Sequence, residues 1–291
     1  MNQLLQLNDG RVLEWFDNGI DSERALVFHN GTTCGLEVWN VWFSEAAKRG
    51  VRAIGLNRPG VGNSTRNFGR RMLDDVSDVR ELLASAGIRE FVSVGWSGGG
   101  GRALGTTQID GCIAVHTIAG IPSQDPNDPR WLQIVLPERH AIAEASRADW
   151  NESLKLRSVN FEAERTTTTE AMIADLEVYL PRFKEFEADY KIFSRDFAAS
   201  IRTALVNGPE ADVDDYAVNI HLWGFDIEAI TKPVTLWHGD LDDDVQFIYG
   251  EYHSERIPGS TLIRLEGLGH VDIMVEARGQ ILTAAIDSLL A

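Results

Sequence analysis

Residues 95–101 read Gly-Trp-Ser-Gly-Gly-Gly-Gly and directly follow the apolar run Phe91-Val-Ser-Val94. A serine with glycines two positions away on either side, where a strand gives way to a helix, is a nucleophile-elbow pattern. Such a turn strains the serine backbone and brings strand and helix close together, so only very small neighbours such as Gly95 and Gly99 leave room. Ser97 Oγ is then expected to stand exposed above the sheet. The four glycines from Gly98 to Gly101 open the following helix, each at a cost of up to about 1 kcal/mol relative to alanine. A purely structural helix start does not need that sacrifice. The same glycines do not form a phosphate loop, because no G-x-x-x-x-G-K-[ST] frame surrounds them and Arg102 replaces no lysine of one.

A serine hydroxyl is a weak nucleophile near neutral pH, so it needs a base, and the base needs a carboxylate to orient it. The chain offers His29, His116, His140, His221, His238, His253 and His270. His270 is the best placed. It ends the loop Leu265-Glu-Gly-Leu-Gly-His270 after the final predicted strand, and Gly267 and Gly269 let that loop fold over the sheet. The preceding strand ends in His238-Gly-Asp-Leu-Asp-Asp-Asp-Val245, which supplies Asp240, Asp242, Asp243 and Asp244. Asp125, after the strand at Cys112 to Ile118, is the other position from which a carboxylate reaches the histidine.

The elements that must position these groups follow from hydrophobic periodicity. Leu4 to Leu7 and Val12 to Phe16 flank Asn8-Asp9-Gly10 and predict an antiparallel hairpin. Continuous apolar runs at Ala25 to Phe28, Val51 to Leu56, Phe91 to Val94, Cys112 to Ile118, Val234 to Trp237 and Thr261 to Leu265 suit strands buried on both faces of a parallel sheet. Helical spacing recurs in Arg71 to Ala86, with Gly87 as its stop, and in Ile273 to Leu290. Strands alternating with helices predict an α/β doubly wound, mostly parallel sheet. Between Gly120 and about Phe225 the alternation stops, and prolines 122, 126 and 129 mark an exit from the sheet. The expected organisation is a core of residues 1–120 and 225–291 with a helical cap, 121–224, folded over the strand ends. Thr166 to Thr169 is expected to be a helix-capping turn.

With 44 acidic against 27 basic residues and a net charge of −17, the chain is a poor partner for nucleic acid or an anionic membrane. The first residues lack a basic segment and a long apolar run, so no secretion signal is expected, nor a membrane span. A soluble, cytoplasmic protein is the expectation, with Cys34 and Cys112 reduced and buried. Their separation fits no metal-ligand spacing, and no cofactor or metal is called for. Oligomeric state is not legible.

The order Ser97, Asp, His270 is the chain order of α/β-hydrolases, and the sequence resembles that superfamily in five stretches. These are His29-Asn30-Gly31-Thr32, Asn57-Arg58-Pro59-Gly60-Val61-Gly62-Asn63-Ser64, the elbow around Ser97, His238-Gly239-Asp240-Leu241-Asp242-Asp243-Asp244-Val245, and Gly269-His270. The resemblance covers residues 1–120 and 225–291. It singles out Asp242 as the carboxylate and implies an oxyanion hole made by the backbone N–H groups of Gly98 and Thr32. It also implies that His29 and His238 support loops. Asn30 stands where the family usually has histidine, Thr33 where it often has proline, and Asn57 where aspartate is usual. The implied function is a serine hydrolase acting on a small or medium, mostly uncharged carboxylic ester through an acyl-enzyme. Aspartate-nucleophile activities of the superfamily, dehalogenation and epoxide hydrolysis, are disfavoured by Ser97. Lactone opening and C–C bond hydrolysis, which can use the same serine apparatus, stay open, as do an aminopeptidase resembling the proline iminopeptidases, for which the acids between Glu210 and Asp226 would hold a free amino group, and a non-catalytic receptor or scaffold using the same pocket.

Overall fold

The computed structural model describes residues 2–291. Its eight strands are β1 (Gln3–Gln6), β2 (Val12–Asp17), β3 (Arg24–His29), β4 (Arg52–Leu56), β5 (Glu90–Trp96), β6 (Cys112–Ile118), β7 (Val234–Gly239) and β8 (Thr261–Leu265). They form one sheet in the order β1-β2-β4-β3-β5-β6-β7-β8. The β1–β2 and β2–β4 pairs are antiparallel and every other pair is parallel. Gly10, at φ +89°, makes the turn of the opening hairpin. This is the doubly wound, mostly parallel sheet that the apolar runs predict, with strand ends displaced by one or two residues.

Helices α1 (Asn40–Lys48), α2 (Met72–Ser85) and α3 (Gly99–Gly105) precede the long insertion. The insertion carries α4 (Pro129–Ile134), α5 (Pro137–Ala148), α6 (Trp150–Arg157), α7 (Phe161–Arg165), α8 (Thr169–Tyr179), α9 (Glu187–Leu205) and α10 (Glu210–Ile220). Then come α11 (Phe247–Arg256), α12 (Asp272–Glu276) and α13 (Arg278–Leu290). The period of two along each strand divides the core between the two faces of the sheet. Leu26, Phe28, Val92 and Val94 pack on one side with α1, α9 and α13, whereas Ala25, Val27, Phe91 and Val115 pack on the other with α2 and α3. Thr168 caps α8 by accepting from Ala171 N. The single helix expected over Ile273 to Leu290 is two, broken at Ala277, because its apolar face must first follow the His270 loop and then turn onto the sheet. Both cysteines are free and buried. Among the described residues, no helix is long and apolar enough to cross a membrane.

The insertion is fastened to the sheet by buried charge. Asp215 of α10 accepts from Arg58 Nε and Nη2 (both 2.7 Å), Arg70 Nη2 (2.7 Å) and Arg102 Nη2 (2.9 Å). Asp75 of α2 accepts from Arg70 Nε (2.7 Å) and Arg102 Nε (3.0 Å). All five side chains are at most 4% exposed. Burial alone raises a carboxyl pKa, but the guanidinium groups of Arg102, Arg58 and Arg70 hold Asp215 well below the usual carboxylate range. On the flanks, Asp214 pairs with Arg66 and Asp212 with Arg157, both at 2.6 Å.

Two consequences are measurable. Asp215→Asn leaves three buried guanidinium groups short of their shared carboxylate, and urea unfolding at pH 7 should show a loss of about 3–5 kcal/mol. Glu255→Gln, which removes the exposed pair with Arg130, should leave the midpoint unchanged. The second consequence concerns acid. Burial lowers His29 to about 3, His116 to about 4 and His253 to about 3 from an ordinary 6.5. Below about pH 6.5 the unfolded chain therefore binds protons that the folded chain refuses, and stability falls as the pH drops. Each histidine should contribute on the order of 2 kcal/mol to that loss by pH 5. Denaturation at pH 7 and pH 5 measures it, and His116→Gln, which does not titrate, should shallow the dependence.

Candidate active site

Ser97 sits at the β5–α3 junction with φ +52°, in the left-handed region that β-carbon sterics disfavour. A Cβ on Gly95 would overlap Gly99 O, and one on Gly99 would overlap His29 O, so the crossing of strand and helix admits no side chain at either position. Gly100 and Gly101 have a different explanation from the one the glycine run suggests. They press against Gly120 on one side and against Met72 and Trp223 on the other, where a Cβ would come within 2.8 Å, so they serve packing.

Asp242 leaves the loop after β7 with its side chain fully buried. Its Oδ1 accepts from Asp244 N (2.9 Å) and Val245 N (2.7 Å), which fixes the carboxylate in an Asx-type turn. Its Oδ2 is 2.8 Å from His270 Nδ1. An ionised carboxylate only accepts, so this bond places the proton of a neutral imidazole on Nδ1 and leaves Nε2 as the acceptor. The other acids take different partners: Asp240 binds Arg264 and Gly267 N, and Asp125 accepts from Asn127 N in its own turn.

Trp96, the residue before Ser97, couples the elbow to the histidine. Its ring centroid lies 5.2 Å from that of His270, and its Nε1 donates to His270 O at 3.3 Å. On its other side it meets Phe197 of α9 edge-on. The loop is further tied by Gly269 N donating to Asp272 Oδ2 (2.8 Å). The Ser97 hydroxyl itself makes no hydrogen bond to His270; bonds of this kind commonly tighten only around a substrate. His29 and His238 support their loops: His29 Nε2 is 3.2 Å from Ser93 Oγ, and His238 Nε2 donates to Val245 O at 2.6 Å.

At the elbow, Gly98 and Thr32 meet, with Thr32 N 3.2 Å from where a Gly98 Cβ would stand. The Thr32 loop is held rigidly. Arg58 Nη1 donates to Asn30 O (2.5 Å) and its Nη2 to Gly31 O (2.8 Å), while the Asn30 side chain donates to Leu56 O and Cys34 O, both at 3.3 Å. Thr33 has φ +58° and its hydroxyl donates to Asp212. A proline, confined near −65°, does not fit this conformation, which explains why none stands there. Asn57 is structural: its amide donates to Glu14 Oε2 (2.7 Å) and its Oδ1 accepts from Leu36 N (2.9 Å). Arg58, Arg102, Asp215 and Asn219 surround this loop, and the sequence assigns none of them this role; Asp215 figures there only among the acids between Glu210 and Asp226.

A cavity of about 260 Å³ lies under the insertion, lined by Ile121, Trp131, Val135, Ile142, Tyr216 and Tyr249 with Arg139 and Arg157 among them. Ile121 donates its N–H to Ser97 O at 3.1 Å, which puts one wall of the cavity against the elbow. Among the described residues, no group of three or more His, Cys, Asp or Glu side chains is arranged to hold a metal ion.

Residues 26–284 match the Alpha/beta hydrolase family. A non-heme haloperoxidase from Rhodococcus erythropolis is 26% identical over 134 residues, 44% of this chain and 48% of that protein, so the match spans about half the length of that curated relative. Among solved structures, a bromoperoxidase from Bacillus anthracis superposes with a TM-score of 0.72 at 20% identity over the whole of both chains. An esterase from Rhodococcus sp. ECU1013 does so with a TM-score of 0.69 at 17% identity, covering 99% of this chain and 98% of that one. At such identities the likeness concerns the fold. The sheet order, the elbow after β5, the insertion after β6 and the family match over nearly the full length agree: the chain belongs to the Alpha/beta hydrolase family.

Proposed function

We infer that the protein is a serine hydrolase that cleaves a small or medium carboxylic ester through an acyl-enzyme. The observation that carries this reading is the 2.8 Å bond between Asp242 and His270 Nδ1, with the imidazole packed on Trp96 beside Ser97. In this reaction His270 Nε2 takes the proton of Ser97 as Oγ attacks the ester carbonyl carbon. The carbonyl oxygen gains the negative charge and is received by the N–H groups of Gly98 and Thr32. Collapse of the tetrahedral intermediate breaks the bond to the alkoxide, which leaves with the proton from His270. Water then attacks the acyl group with the same imidazole as base, and Ser97 recovers its proton. Asp242 holds the tautomer and stabilises the imidazolium. In the cavity beside Ile121, Arg139 is engaged by the Asp243 and Asp244 carbonyls and Arg157 by Asp212, which leaves Trp131, Val135 and Ile142 as surface suited to an uncharged acyl or alcohol group.

The aminopeptidase alternative loses its main support, because Asp212, Asp214 and Asp215 are each already bound to arginine. An ammonium group would have to displace a guanidinium from them.

With p-nitrophenyl acetate, the wild type should turn over and Ser97→Ala should lose on the order of 10⁶ in kcat. Asp242→Asn should lose roughly 10⁴, and Asp125→Asn nothing. Equal turnover by the wild type and Ser97→Ala would refute the assignment. Fluorophosphonate labelling of Ser97 without ester turnover would favour the receptor alternative.

A further inference from the structure

We propose that the side-chain hydroxyl of Thr32 is a third donor to the oxyanion, aimed there by Arg102 through Asn219. The inference rests on the acyl-enzyme reading above and adds a catalytic group to it. Donor and acceptor accounting settles the direction of each link. Arg102 Nη1 donates to Gly98 O (2.7 Å) and also to Asn219 Oδ1. A guanidinium only donates, so the Asn219 atom facing it is the carbonyl oxygen, and the amide nitrogen is the atom that faces Thr32. Asn219 Nδ2 donates to Thr32 Oγ1 at 3.0 Å.

The hydroxyl therefore acts as acceptor toward Asn219, and its own hydrogen is free to point elsewhere. No other bond of this hydroxyl forms among the described residues, and Thr32 is half-buried. Its position is set by Gly98: a Cβ there would overlap Thr32 Oγ1, so the oxygen occupies the space beside the Gly98 backbone, next to Thr32 N. Thr32 Oγ1 and Thr32 N thus both lie against the Gly98 backbone, the neighbourhood in which the proposed oxyanion is received.

The opposite end of the relay carries the charge. Arg58, Arg70 and Arg102 face Asp75 and Asp215, so the buried cluster bears one excess positive charge directly behind the hole. Successive hydrogen bonds in a low-dielectric interior polarise one another in the same sense. An anion that appears only in the transition state is favoured by both effects, so the loss on removing the hydroxyl belongs in kcat and not in KM. Asn219 is 1% exposed and acts as a positioning residue.

The test uses p-nitrophenyl acetate kinetics on the full chain. Thr32→Val keeps the shape and the backbone N–H but removes the donor, and kcat should fall on the order of 10²-fold with KM unchanged. Thr32→Ser should retain most of the wild-type kcat. Asn219→Asp gives the decisive comparison. A carboxylate only accepts, so the Thr32 hydroxyl would turn its hydrogen away from the hole, and because the new charge also cancels the excess of the cluster, kcat should fall at least as far as in Thr32→Val. The double variant should fall no further than Asn219→Asp alone. Full activity in Thr32→Val, or additive losses in the double variant, overturns the proposal while leaving the hydrolase reading intact. Absence of both turnover and fluorophosphonate labelling in the folded wild type overturns both.

Discussion

Three arginines sharing two carboxylates inside the protein is the constraint on which the rest of this structure depends. Each ion alone is costly to bury, and the cluster persists only because nearly every donor has a partner. Arg102 illustrates the completeness. Its five N–H groups reach Asp75, Gly98 O, Asn219 and Asp215, including the Asp215 carbonyl at 3.5 Å. Because the carboxylates come from α2 and α10 and the arginines from the loop after β4, the approach to α2 and helix α3, the cluster closes only when core and insertion are correctly docked. The same guanidinium groups hold the carbonyls of Asn30, Gly31 and Gly98. Docking of the insertion and geometry of the candidate oxyanion hole are thus one event.

What was legible in the sequence was what is decided locally. The elbow at Ser97 announces itself because steric demands at a left-handed serine fall on residues two positions away. The strands of the parallel sheet are visible because burial on both faces requires unbroken apolar runs. His270 follows the last strand closely enough to stand out, whereas spacing leaves Asp240, Asp242, Asp243 and Asp244 equivalent and only the family resemblance picks Asp242 among them. The break at Ala277 was not legible, because the apolar spacing continues through Ile273 and Ile281 and the one local signal, Gly279, falls two residues beyond it.

The charged cluster was invisible for a different reason. Asp215 meets Arg58 across 157 residues of sequence, and long-range ion pairing leaves no periodicity. The run from Glu210 to Asp226 lacks basic residues, so it reads as a solvated or amine-binding stretch, whereas its buried acids complement arginines from distant segments. Trp96 was ambiguous between pocket wall and core; it is buried in the core cluster, where its ring packs against both His270 and Phe197.

That Asp215 and Asn219 belong to α10 bears on how freely this scaffold can be diversified. Insertions between β6 and β7 are natural places to exchange modules between relatives, and a transplanted module that supplies only new pocket walls would strand the guanidinium groups and let the Thr32 loop relax. The last turns of α10 therefore behave as part of the core despite their position in the chain. A chimaera whose downstream junction falls before Asp212 keeps Asp215 and Asn219 native, and with α9 also retained, since Tyr190, Phe193 and Ala198 pack in the core and Phe197 meets Trp96, it preserves the frame of the candidate site.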